Sequence, residues 1–160
     1  MIIRRTIAVL GAIVFVAVAF ILGVRVQGGE SARAMSFHED ASAVPLAFKR
    51  ALGPNPAMVQ MTVEPHSVAA DVLMGEEVQS FVLHHGAGYV VAGPRRDLTD
   101  VQDRAFVPEG IRYDRIPAVA KQAAEELGDP DVRLIIDRAP GSRELRWRAQ
   151  GAAGELVLTP

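Results

Sequence analysis

The segment "TIAVLGAIVFVAVAFILGV", Thr6 to Val24, runs for 19 residues without a charge, with Arg4 and Arg5 before it and Arg25 after it. At about 1.5 Å per residue, a helix of that length spans the roughly 30 Å hydrocarbon core of a bilayer. A soluble fold could bury such a run only as a central helix, yet this one stands at the N-terminus behind a basic pair. We therefore expect residues 1–26 to form a cytoplasmic stub and a transmembrane anchor, with residues 6–24 in contact with lipid. "SARAM" offers Ala32 and Ala34 at the spacing of a secretory cleavage site, the alternative being a signal peptide cut after Ala34. A signal-peptide core is about 7 to 15 residues, however, and this one is longer, which favours an uncleaved anchor. Arg4, Arg5 and the terminal amine outweigh Arg25, so the N-terminus is expected in the cytoplasm and the domain in the periplasm or cell exterior. Only about five residues would then remain inside, too few to fold, and any signal would have to pass through a partner.

The rest of the 160 residues suffices for one domain. Cysteine is absent, which excludes disulfides, thiolate metal sites and a cysteine nucleophile. Residues 35–160 carry 13 basic and 18 acidic groups, a net charge of −5 that disfavours nucleic acid as a partner.

Residues 27–43 are polar and small, without a sustained apolar period, and read as a tether between anchor and domain. "VPLAFKRAL" then predicts a short helix with Pro45 in its first turn, Gly53 at its end, and a modest apolar face around Leu46 and Ala47. In "MVQMTVE", Val59, Met61 and Val63 alternate with polar residues, the mark of a half-buried strand. "VQSFVLH" and "YVVAG", joined by "HGAG", predict a hairpin that Pro94 stops. The clearest helix is "DRIPAVAKQAAEELG", with Asp114 as N-cap, Ile116, Ala120, Ala123 and Leu127 on one face, and Gly128 past the end. "VRLIID", "ELRWRA" and "ELVL" follow as strands.

The two halves align. Gly53 meets Gly128, Val59 meets Leu134, Met61 meets Ile136 and Pro65 meets Pro140 at a separation of 75, while Gly88 meets Gly154 and Pro94 meets Pro160 at 66. The nine extra residues of the first half fall in "SVAADVLMGEE". The expected fold is α+β: an N-terminal transmembrane helix, then two α-β-β-β repeats over 44–94 and 114–160, joined by a linker over 95–113, with the helices packed on antiparallel sheet. This order of elements resembles PepSY-type periplasmic domains and, in tandem, the β-lactamase-inhibitor-protein fold. The resemblance covers residues 44–160 and rests on topology. It implies binding or inhibition of another protein, with no cofactor and no catalytic residue.

Chemical motifs are weak. His84 and His85 are adjacent, so on a strand they point to opposite faces and cannot converge on one ion. His66, Asp71, Glu76 and Glu77 lie nearby without any histidine spacing typical of metal sites. A turn flanked by one exposed and one partly packed histidine is the expected reading. Ser67 follows His66 without a nucleophile elbow, "GAG" lacks the third glycine and helix of a dinucleotide loop, and Glu76-Glu77 and Glu125-Glu126 read as solvated faces. We therefore expect no enzyme, metal or cofactor. "RELRWRA" is the one suggestive surface, because Leu145, Trp147 and Ala149 alternate with Glu144, Arg146 and Arg148. Arg133, Arg138, Arg146 and Arg148, with Phe106 and Ile111 of the linker, form the candidate partner surface. The leading expectation is a membrane-anchored module that binds another envelope protein as accessory subunit, assembly factor or inhibitor. The rival is a small envelope enzyme or metal-binding protein using His66, His84 and His85.

Overall fold

The computed structural model describes residues 36–75, 77–87, 90–97 and 102–159. The anchor expected over 6–24, the stub before it and the alternative cleavage after Ala34 lie outside these residues. Among the described residues no helix is long and apolar enough to cross a membrane.

Seven strands form one antiparallel sheet: β1 (Met58–Val63), β2 (Ser67–Met74), β3 (Glu77–His84), β4 (Val90–Asp97), β5 (Arg133–Arg138), β6 (Leu145–Gly151) and β7 (Gly154–Leu158). Their spatial order is β4-β3-β2-β1-β5-β6-β7. Helices α1 (Val44–Leu52) and α2 (Ile116–Leu127) bury Val44, Phe48, Ile116, Val119, Ala120 and Ala123 in the same apolar cluster as Met61, Val63, Leu134, Ile136 and Trp147. Both helices thus cover one face of the sheet. The fold is α+β, as the alternating and helical periods of the sequence predict.

The first half holds four strands, not three. β2 occupies the segment assigned above to an insertion, and its Val68, Ala70 and Val72 alternate into the core. Each half starts at the centre of the sheet and builds outward, so β2 corresponds to β6 and β3 to β7, which overturns the offset of 66. The offset of 75 survives in the central pair, where Met61 stands opposite Ile136. Strand β4 runs through Pro94 to Asp97. On an edge strand the missing proline N–H has no ladder to break, and the register between β3 and β4 shifts beside it, between Gln79 and Phe81.

Other local expectations are corrected by packing. Val44 and Phe48, one helical turn apart, make the buried face of α1, and Leu46 is 52% exposed. A register shift after Met58 turns that side chain into the core, so Val59 is buried outside the main cluster. Asp114 does not cap α2: Arg112 donates to its carboxylate from Nε and Nη2, both at 3.1 Å, and Arg115 stands at the cap position. Gly128 does close α2, at φ 64°, a left-handed position that glycine takes without strain. From Ser36 onward the expected tether belongs to the domain, since Phe37 and Ala41 join the core and Phe37 N–H donates to Pro65 O at 2.9 Å.

The linker is also structured. Phe106 exchanges backbone hydrogen bonds with Met58 at 2.7 and 2.8 Å, closing one end of the sheet. Phe106 and Ile111 are each 4% exposed. They are core residues and leave the candidate partner surface, because apolar side chains beside an open sheet end gain more from burial than from exposure.

Candidate functional site

Side chains of a strand alternate between faces, so the registers determine what the face opposite the helices carries. One cross-strand row reads Val91, Val82, Ala69, Thr62, Ile135, Arg148, Val157 from β4 to β7. It is apolar apart from Thr62 and Arg148, and it spans six inter-strand spacings, about 29 Å at roughly 4.8 Å each. Its ends are open: Val91 is 43% exposed and Val157 73%. A polar row lies on either side. One holds Ser80, Asp71, Gln60, Asp137 and Arg146. The other holds Arg133, Gln150 and Glu155, with Glu64 beyond the end of β1.

The centre of the charged half is Asp137, 8% exposed. Arg146 donates to it from Nε and Nη2 at 2.9 Å each, and Arg148 from Nη2 at 2.6 Å. Burial pushes the Asp137 carboxyl pKa up, but the hydrogen bonds and charges of the two arginines outweigh burial and hold it below the ordinary aspartate value. Arg148 also donates to Glu155 Oε1 at 3.0 Å, and Gln150 to Glu155 Oε2 at 2.8 Å. Those bonds, Gln150's first, hold Glu155 low as well. The guanidiniums are thereby fixed in place and lose little entropy when a partner arrives.

The remaining candidate arginines separate. Arg133 donates to Glu64 Oε1 at 2.8 Å, at the other end of β5 from Asp137, and Ser67 Oγ donates to the same carboxylate at 2.9 Å. Arg138 turns away from this face and donates to Ala105 O at 2.8 Å, securing the linker. Arg133, Arg146 and Arg148 thus share a face, while Arg138, Phe106 and Ile111 do not. Asp137, Glu64 and Glu155 were missed by sequence reasoning. The acid in "LIIDR" and the basic alternation of "RELRWR" were the available signals, but they could be joined only once the β5–β6 register was known.

The histidines gather at the opposite end of the sheet from Phe106, on three turns. His85 N–H donates to His66 O at 2.8 Å, and the His85 ring meets Phe37 edge-on at 5.4 Å. His84 is exposed and His85 half-buried, as the alternation predicts. His38 Nε2 lies 3.4 Å from Val63 O, and burial holds its pKa below the ordinary histidine value. Among the described residues no three histidine, aspartate or glutamate side chains are placed to hold a metal ion. Ser67 and Ser80 donate to the carboxylates of Glu64 and Asp71, not to a histidine. Glu76 lies outside the described residues, while Glu125 and Glu126 face solvent on α2. A groove of about 970 Å³ between the N-terminal turn and α2 is lined by His38, His66, Pro117, Lys121, Ala124 and Asp131. No protein-family model, curated protein or solved structure matches this chain.

Proposed function

We propose that this chain is a membrane-anchored docking module. Thr6–Val24 would hold it in the cytoplasmic membrane with the N-terminus inside, and the sheet face away from the helices would bind another envelope protein in the periplasm or at the cell exterior. The role is that of an accessory subunit, assembly factor or inhibitor, without cofactor or catalysis. The apolar row from Val91 to Val157, flanked by fixed charged groups, carries the reading. An apolar strip with a polar rim is how a protein interface is built, and the Asp137–Arg146–Arg148 cluster supplies orientation at its charged half. The second half keeps the α-β-β-β order on which the resemblance to PepSY-type modules rests, and that resemblance implies the same kind of role.

The test is a pull-down of the full chain from detergent-solubilised membranes, repeated with Val82→Glu and Arg146→Glu. A reproducible partner retained by the wild type and lost by both variants supports docking through this face. Absence of a partner overturns it. So does a partner kept by both variants but lost by His66→Ala with His84→Ala, an outcome that would favour the histidine end.

A further inference from the structure

The two edges of the sheet are built differently. β4 carries Pro94 and a register shift, devices that discourage another strand from pairing there. β7, "GELVL", pairs without a shift to β6, has one charge and no proline, and displays Val157, the most exposed large apolar side chain among the described residues. An edge of that kind is a template for a further strand. Among the described residues, only β6 pairs with β7.

We propose that β7 pairs antiparallel with β7 of a second copy of this chain, centred on Val157. A slip of one residue would place the apolar core face of one copy beside the polar face of the other, so the two-fold axis must pass through a residue position. Centring on Glu155 opposes two carboxylates, which is unfavourable. Centring on Leu156 leaves Val157 against Glu155 of the other copy. Centring on Val157 sets valine against valine and Leu156 against Leu158, and it places Glu155 opposite Thr159, so no like charges meet. It also joins the apolar rows of the two copies end to end, Val157 to Val157, into one strip across a continuous sheet. Because the pairing uses the backbone edge of β7 rather than the sheet face, it stands apart from the docking reading.

The chain has no cysteine, so a single introduced thiol reports cleanly. Residues directly opposite in antiparallel strands have Cα atoms about 4.5–5.5 Å apart, within the range a disulfide bridges. Full-length Val157→Cys under mild oxidation should form disulfide-linked dimers, while Val91→Cys on the protected edge should not. In sedimentation of the cysteine-free chain, dimer should grow with concentration and be lost in Val157→Lys, with the two proteins equal in Tm at concentrations where the wild type is monomeric. The pairing is overturned if Val157→Cys links no better than Val91→Cys, if the chain stays monomeric at every concentration, or if Val157→Lys leaves the dimer intact. A β7 edge taken by a strand of a different protein would show as that monomer.

Discussion

Replacing Asp137 by alanine tests whether the charged cluster is part of the fold or decoration on it. The carboxylate is 8% exposed and accepts three hydrogen bonds from two guanidiniums. Charge-assisted bonds are worth about 1.5–3 kcal/mol each, which sets an upper bound. The arginines recover much of that by rehydration, since their side chains are 36% and 18% exposed. The net expectation is a loss of about 2–3 kcal/mol, below the 3–5 kcal/mol of a fully buried pair. At roughly 4 °C per kcal/mol for a domain of this size, Tm should fall by about 8–12 °C. Arg146→Ala removes the more exposed partner and leaves Arg148 on Asp137, so it should cost about 0–1 kcal/mol. Urea unfolding followed by fluorescence of Trp147, the single tryptophan, measures both, because Trp147 sits on the core face of β6 at 2% exposure. The pH dependence supplies a second readout. With its native pKa depressed, Asp137 stabilises the fold above the unfolded value of about 3.9, and that contribution is lost as pH falls through the native value. The difference between wild type and Asp137→Ala should therefore narrow in acid. A cost below about 1 kcal/mol, equal to that of Arg146→Ala and independent of pH, would refute the reasoning.

Two further outcomes follow from packing and protonation. A Cβ at Gly151 would lie 3.0 Å from Asp129 Oδ2 and 3.2 Å from its Cβ, where Asp129 also accepts from Ala152 N–H, so Gly151→Ala should destabilise by about 1–3 kcal/mol in urea unfolding. His38 is held below the ordinary pKa by burial, so it contributes stability above the unfolded value near 6.5 that is lost as pH falls through its native value. Thermal unfolding of wild type between neutral and mildly acidic pH should show that loss, and His38→Gln should flatten it.

Regular periods made much of the fold legible. Helix α2, the β3–β4 hairpin and the split faces of β6 follow from spacing alone, and the pairing of Met61 with Ile136 matches an internal alignment of the two halves. What failed did so for identifiable reasons. β2 was hidden because Ala69, Ala70 and Asp71 dilute a short apolar alternation, although Val68, Ala70 and Val72 mark its core face. Pro94 is a breaker only where an N–H is needed, and an edge strand needs none on its outer side. Phe106, Ile111 and Phe37 sit in polar stretches without periodicity, so nothing local reveals that the ends of the sheet and of α2 require apolar plugs there. Asp137 could not be singled out because an acid among isoleucines and arginines acquires its meaning from β6, across a turn in the chain.

The unequal halves bear directly on what the surface can do. The first half has a fourth strand, and that strand carries the proline and the shift that guard one edge. Among the described residues the second half has three strands, and its last strand, β7, which carries Glu155 of the Arg148–Glu155 pair, is paired by β6 alone. Pairing through Val157 in the register argued above keeps both outer faces on the same side, since opposed residues of antiparallel strands share a face. The dimer would then present two Asp137–Arg146–Arg148 clusters on one continuous surface, related by the two-fold axis. A partner that is itself two-fold symmetric would engage both at once, and the second contact forms at the high effective concentration set by the first. A monomeric partner would gain nothing. Val157→Lys therefore separates the cases: it should weaken binding of a dimeric partner by far more than the loss of one valine contact, and cost a monomeric one no more than that contact. Equal, small losses for both would mean that the sheet face binds as single copies.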